Sequence, residues 1–175
     1  MASSESWRAS QPSTDLDPPS GKSAIPLWLR AWWPAILWGI LISSLSTDAF
    51  SSAHTSLVIE PFLRWLFPTM PVNMVELAHH LIRKSAHFTE YFIFCLLVYR
   101  GIRVSHPNGH AWHWSWALIA WLVAAVYSVL DEVHQIFVPS RGPSPWDSLL
   151  DSTGALFALI ALYFVYRRYL RSRSE

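Results

Sequence analysis

A single cysteine, Cys95, excludes an internal disulfide, and a formal net charge of +1 argues against the basic face with which a general nucleic-acid binder neutralises phosphates. Charged residues make up only 14% of the 175 positions. The chain also lacks a Gly-rich phosphate loop, a serine-nucleophile motif and a Cys-x-x-Cys pair, so the commonest sequence signatures of an enzyme are missing. No internal repeat is evident, which argues against an inverted-repeat transporter. What fills the chain instead is apolar bulk: 52% hydrophobic residues and 11 tryptophans. That is too apolar and too aromatic for an ordinary soluble domain of this length, and it reads as one all-helical, polytopic membrane domain. Cys95 sits among Phe92, Ile93, Phe94, Leu96 and Leu97, where a lipid-embedded structural thiol is expected.

Four spanning helices and one short interfacial helix between the first and second are expected. Residues 1–26, rich in Ser, Pro and Asp, have neither the basic start nor the apolar run of a secretory signal and are expected to form a disordered cytosolic tail. The first span reads from Trp28 to Thr47, about the 20 residues a bilayer requires. Trp28, Trp32 and Trp33 fall at its interfacial end, and Pro34 in its first turns. Residues 48–74 form a long connection in which Glu60 and Arg64, spaced i, i+4, suit a short helix along the membrane surface, ended by Pro68 and Pro71. The second span must borrow ionisable residues upstream, because only Tyr91 to Tyr99 is free of them. The third enters after His113 and the fourth is read back from Arg167. The membrane domain then covers residues 27–169, followed by a basic cytosolic tail, 170–175.

Counting about 1.5 Å per residue from the basic ends of the last three spans brings Lys84, His87, Glu90, Asp131, Asp147 and Asp151 to one half of the bilayer. If both termini are cytosolic, nine of the 13 basic residues lie inside, which the positive-inside rule favours for a cytoplasmic-membrane protein. The polar cluster then faces outward. Helical spacing sorts it into stripes: Lys84, His87 and Tyr91, with Glu90 alongside; Asp131, His134 and Gln135; and Asp147, Asp151 and Gly154. Turned inward, these stripes let Lys84 and Arg83 or Arg141 compensate Asp131, Glu132, Asp147 and Asp151.

Intramembrane charge is expensive and rarely tolerated without a partner or a task. One reading is recognition of a lipid head group or lipid-linked cell-wall intermediate, with Arg83, Lys84 and Arg141 holding phosphate and Tyr91, Gln135, Asp147 and Asp151 completing the binding set. A second is an enzyme on such a lipid, with His134 or Glu132 as general base, Asp131 orienting the imidazole, Lys84 or Arg141 stabilising developing negative charge, Glu90 or Glu132 suited to proton transfer, and His87 completing the catalytic set. A structural role reads from the same residues: Asp147 can cap the fourth helix, and Lys84 with Asp131 or Asp151 can fix helix register. Metal ligation by His87, Glu90, Asp131 and His134 ranks low, because two cations in the same pocket would repel a divalent ion, and no cofactor is expected.

At these residues the chain resembles the VanZ-like family of bacterial membrane proteins. The resemblance rests on Arg83-Lys84-x-x-His87-Phe88-x-Glu90-Tyr91, on Asp131-Glu132-x-His134-Gln135, and on Arg141-Gly142 followed by Asp147 and Gly154. Two positions depart from it: Ser140 stands where Gly is common, and Asp151 where Asn is expected. The resemblance implies a multi-pass membrane protein connected with resistance to teicoplanin-type glycopeptide antibiotics.

Overall fold

The computed structural model describes residues 26–47, 52–106, 111–138 and 144–172. Among them run five helices and no strand: α1 (Leu27–Leu45), α2 (Ser52–Leu66), α3 (Val72–Val104), α4 (Trp114–Gln135) and α5 (Pro145–Arg171). Two of these, α4 and α5, are long and apolar enough to cross a membrane by length and composition. Arg30 is the only ionisable side chain in α1, whereas α3 interrupts its apolar half with Arg83, Lys84 and Glu90.

The helices form where expected, with one correction. α1 begins and ends within a few residues of the first expected segment, α4 begins directly after His113 as expected, and α2 stops before Pro68. The segment after Pro71, however, is not the tail of a connection. It is the start of α3, whose 33 residues rise about 50 Å, well beyond a ~30 Å hydrocarbon core. Val72–Ile82 contains neither Gly nor Pro to break a helix, and its buried Val75 and His79 stand one turn apart. His79 and His80 therefore lie within α3.

Packing follows residue size. The buried face of α4 is Ala117, Ala120, Ala124, Ser128, Asp131 and Gln135; that of α5 is Asp151, Gly154, Ala155, Ala158 and Leu159; that of α1 starts with Ala31, Ala35 and Gly39. Large apolar side chains such as Leu37, Ile40, Leu122, Val126, Phe157 and Phe164 point outward instead. Small residues inside and bulky ones outside is the pattern by which membrane helices approach closely, since burying Leu against protein gains little over burying it in lipid.

α3 is the central element, packed on every other helix. Its closest approach is to α5, where a Cβ added to Gly154 would fall on the backbone carbonyl of Phe88. Around this axis lies a core of Tyr91, Phe94, Cys95, Val98, Tyr99 and Ile102. Phe94 meets Tyr127 of α4 at 4.9 Å between centroids, the two rings tilted by 44°. Tyr127 in turn donates to the Gly39 carbonyl at 2.8 Å, tying α4 to α1.

Candidate functional site

Three helix segments converge at one end of the bundle: the middle of α3, the last turns of α4 and the first turns of α5. They bring together most of the polar residues singled out by spacing, in two adjoining groups on different flanks of α3.

The first group lies between α3, α4 and α5. Lys84 pairs with Asp147, both partly buried. Asp147 thus serves a cross-helix ion pair, and Lys84 takes it in preference to Asp131 or Asp151. Glu132 accepts a 2.7 Å hydrogen bond from the backbone N–H of Ser144, the residue just before α5. A carboxylate there satisfies an orphan amide and opposes the positive end of the helix dipole, so Glu132 fixes where α5 starts. Glu132 also lies within electrostatic reach of Lys84, Asp131 and Asp147.

Deeper in, the donors become neutral. Asp131, 5% exposed, accepts from the hydroxyl of Ser46 at 2.7 Å and the amide of Gln135 at 3.1 Å. Asp151, 1% exposed, accepts from the Ser128 hydroxyl at 3.2 Å through Oδ2, while its Oδ1 is buried with no hydrogen-bond partner among the described residues. The hydroxyl of Tyr91, a fully buried residue, is likewise unpartnered and lies within electrostatic reach of both Asp131 and Asp151. Two buried carboxylates and a phenol thus lie near one another in the bundle, where the described donors are hydroxyls and an amide, not cations.

The second group lies on the α2 flank. Arg83 donates to the Thr55 hydroxyl at 3.0 Å, and Thr55 and His79 Nε2 are 3.2 Å apart. His87 Nδ1 stands 3.7 Å from Glu90 Oε2, one turn along α3. Arg83, His87 and Glu90, together with Leu45, Thr55 and Ile59, line a cavity of about 160 Å³ between the end of α1, α2 and α3. α2 is thus one wall of a polar niche, a part its amphipathic pattern alone did not assign. The Glu90 carbonyl accepts from Trp38 of α1 at 2.9 Å, anchoring this stretch of α3.

His134 is where the stripe reading requires correction. It is exposed, while Asp131 and Gln135 are buried. The buried face of α4 runs from Ala117 to Gln135 in five turns of about 3.6 residues, and position 134 falls about 100° short of the last of them. Asp131 therefore orients Ser46 and Gln135, not the His134 imidazole. Arg141 and Gly142 lie outside the described residues.

Ser46, Ser128, Thr55 and His79 escaped the spacing analysis. Ser128 was legible in principle, one turn before Asp131 on the same face; Thr55 and His79 were not, because only the docking of α2 on α3 joins them. Among the described residues no group of three or more His, Cys, Asp or Glu is placed to hold a metal ion.

No curated protein and no solved structure matches the chain. The model of the VanZ/LLP1 family matches residues 27–167, a span that contains all five helices up to the last turn of α5 and every site residue described above, and the chain therefore belongs to that family.

Proposed function

We propose that this chain is a four-span protein of the bacterial cytoplasmic membrane, both termini cytosolic, whose outward-facing polar end binds the phosphate-bearing head group of a cell-envelope lipid or lipid-linked cell-wall intermediate. α1, α3, α4 and α5 are the spans, and α2 lies at the outer interface, with Leu57, Val58, Phe62 and Trp65 exposed toward the acyl boundary. The observation that carries the reading is the niche between α2 and α3. Arg83, His87 and Glu90 meet there beside apolar Leu45, Ile59 and Ile82, so charge and hydrocarbon are offered side by side. A guanidinium suits phosphate, and a carboxylate suits a hydroxyl or amine. Lys84, committed to Asp147, stiffens the wall from the other flank. Lowered access of a glycopeptide drug to its lipid-linked target would follow from such binding, in keeping with the association of the family.

The test is mass spectrometry of lipid retained by the full chain purified from its own membranes. A phosphate-bearing lipid should be retained, and Arg83→Gln should lower its occupancy at least tenfold, the loss of a charge-assisted hydrogen bond. Unchanged occupancy in Arg83→Gln and His87→Ala would overturn the reading and leave the polar residues a structural task.

A second reading, chemistry on the bound lipid, is favoured by one observation: the Tyr91 hydroxyl and Asp151 Oδ1 are both buried and have no hydrogen-bond partner among the described residues. A phenol and a carboxylic acid kept from water are suited to passing a proton. A new lipid species appearing on incubation with total membrane lipid, and absent with Tyr91→Phe, would select this reading over simple binding.

A further inference from the structure

The niche between α2 and α3 carries a charge of each sign. Among the described residues that line it, Arg83 supplies a guanidinium and Glu90 a carboxylate, with the His87 imidazole between them along α3. All three are half-buried, while Ile82 and Ala86 on the same wall are exposed, so the polar groups line a cavity open to the apolar surroundings of the bundle. Arg83 is held at 3.0 Å by the Thr55 hydroxyl and has further contacts. A guanidinium carries several N–H donors in one plane, so it can keep those partners and hold a phosphate oxygen as well.

Spacing and size narrow what fits. Positions 83 and 90 fall on one face of α3 two turns apart, a rise of about 10 Å between their backbones. A phosphate and an ammonium joined by two carbons, with a charge-assisted hydrogen bond of about 2.8 Å at each end, suit a gap of that order. The cavity, about 160 Å³, equals the share of about five waters in the liquid, at ~30 Å³ each. That is room for a phosphate with a short amine. The sugars and peptide of a lipid-linked wall precursor would have to stay outside it.

We infer that the niche selects the phosphoethanolamine head group of a phospholipid, its phosphate on Arg83 and its ammonium on Glu90, with the acyl chains leaving over Ile59 and Ile82. The inference rests on the phosphate reading of the niche and adds the amine end to it. A glycerol head group would offer Glu90 hydroxyls but no cation, and a choline head group a cation without an N–H to donate. Phosphoethanolamine meets both protein charges with their opposites, which a half-buried carboxylate requires.

The experiment is native mass spectrometry of the detergent-purified full chain titrated with phosphatidylethanolamine, phosphatidylcholine and phosphatidylglycerol of the same acyl chains, with a polyprenyl phosphate, and with free phosphoethanolamine. Phosphatidylethanolamine should be retained about tenfold better than the other lipids, the effect of one charge-assisted hydrogen bond, and free phosphoethanolamine not at all. Glu90→Gln should bring phosphatidylethanolamine down to the level of the other two phospholipids, whereas Arg83→Gln should weaken all three together. A parent chain that retains phosphatidylglycerol or the polyprenyl phosphate best, in a manner dependent on Arg83, overturns the amine assignment and leaves the phosphate reading standing. Retention of no phosphate-bearing lipid removes both. A preference for phosphatidylethanolamine that survives Glu90→Gln, or free phosphoethanolamine held as well as the lipid, also overturns the inference.

Discussion

Lys84 and Asp147 are the ion pair on which the polar end depends, with side chains 29% and 22% exposed. At that burial, removing one partner strands a charge, so the single changes should cost more than the double. We expect a double-mutant cycle with Lys84→Met and Asp147→Asn, read by thermal unfolding in detergent, to return a coupling of about 0.5–3 kcal/mol. Zero coupling would mean that the pair is incidental. Tyr91 and Asp151 invite the opposite experiment. A buried hydroxyl without an acceptor costs about 1–3 kcal/mol, so Tyr91→Phe should be as stable as the parent or more so by up to that amount. Asp151→Asn keeps an oxygen for the Ser128 hydroxyl, and it restores the residue expected from the family resemblance. It too should be neutral or stabilising. Loss of lipid retention or turnover in either variant, with stability preserved, would show that these two buried groups are maintained for a task and not for the fold.

Between elements, the tightest constraint is the crossing of α3 and α5. A side chain at position 154 meets backbone, the Phe88 carbonyl, which cannot swing aside. Gly154→Ala should therefore force the helices apart at a cost of about 1–3 kcal/mol, as overpacking does. Gly101 offers a control, since a Cβ there would approach the Trp32 ring at 3.0 Å, and a side chain that is only half-buried can give by a few tenths of an ångström. Gly101→Ala should cost less. α2 is held differently, resting on α3 through Leu63, Thr55 and their neighbours while most of its large apolar residues are exposed. Sparse buried contact lowers the free energy of local opening. Hydrogen exchange in Ser56–Leu66 should accordingly run well ahead of that in Tyr91–Ile102, and equal protection would remove α2 as the movable wall of the niche.

Over the described residues, six of the eight arginines lie at the end of the bundle away from the acids, and an excess of basic residues on one side is what orients a membrane protein. In a Cys95→Ser background, which removes a buried thiol, a cysteine at Thr69 should react with a membrane-impermeant maleimide added to intact spheroplasts, and one at Ser172 only after lysis. Labelling of both from one side would refute the four-span arrangement.

The sequence by itself determined the helical class, the approximate place of the helices, and the polar residues on α3, α4 and α5, because apolar periodicity, proline placement and charge count are properties of the chain read locally. It also carried the residues by which the family is recognised. Only the tertiary structure decided which charges meet. Lys84 takes Asp147, Glu132 takes the start of α5, Asp131 and Asp151 take serines, Arg83 turns to α2, and His134 faces out. Helical spacing fixes the angle between residues on one rod, whereas the rotation and height of one rod against another are set by where small residues let backbones touch. That contact, Gly154 on Phe88, joins positions 66 residues apart and has no trace in any local pattern.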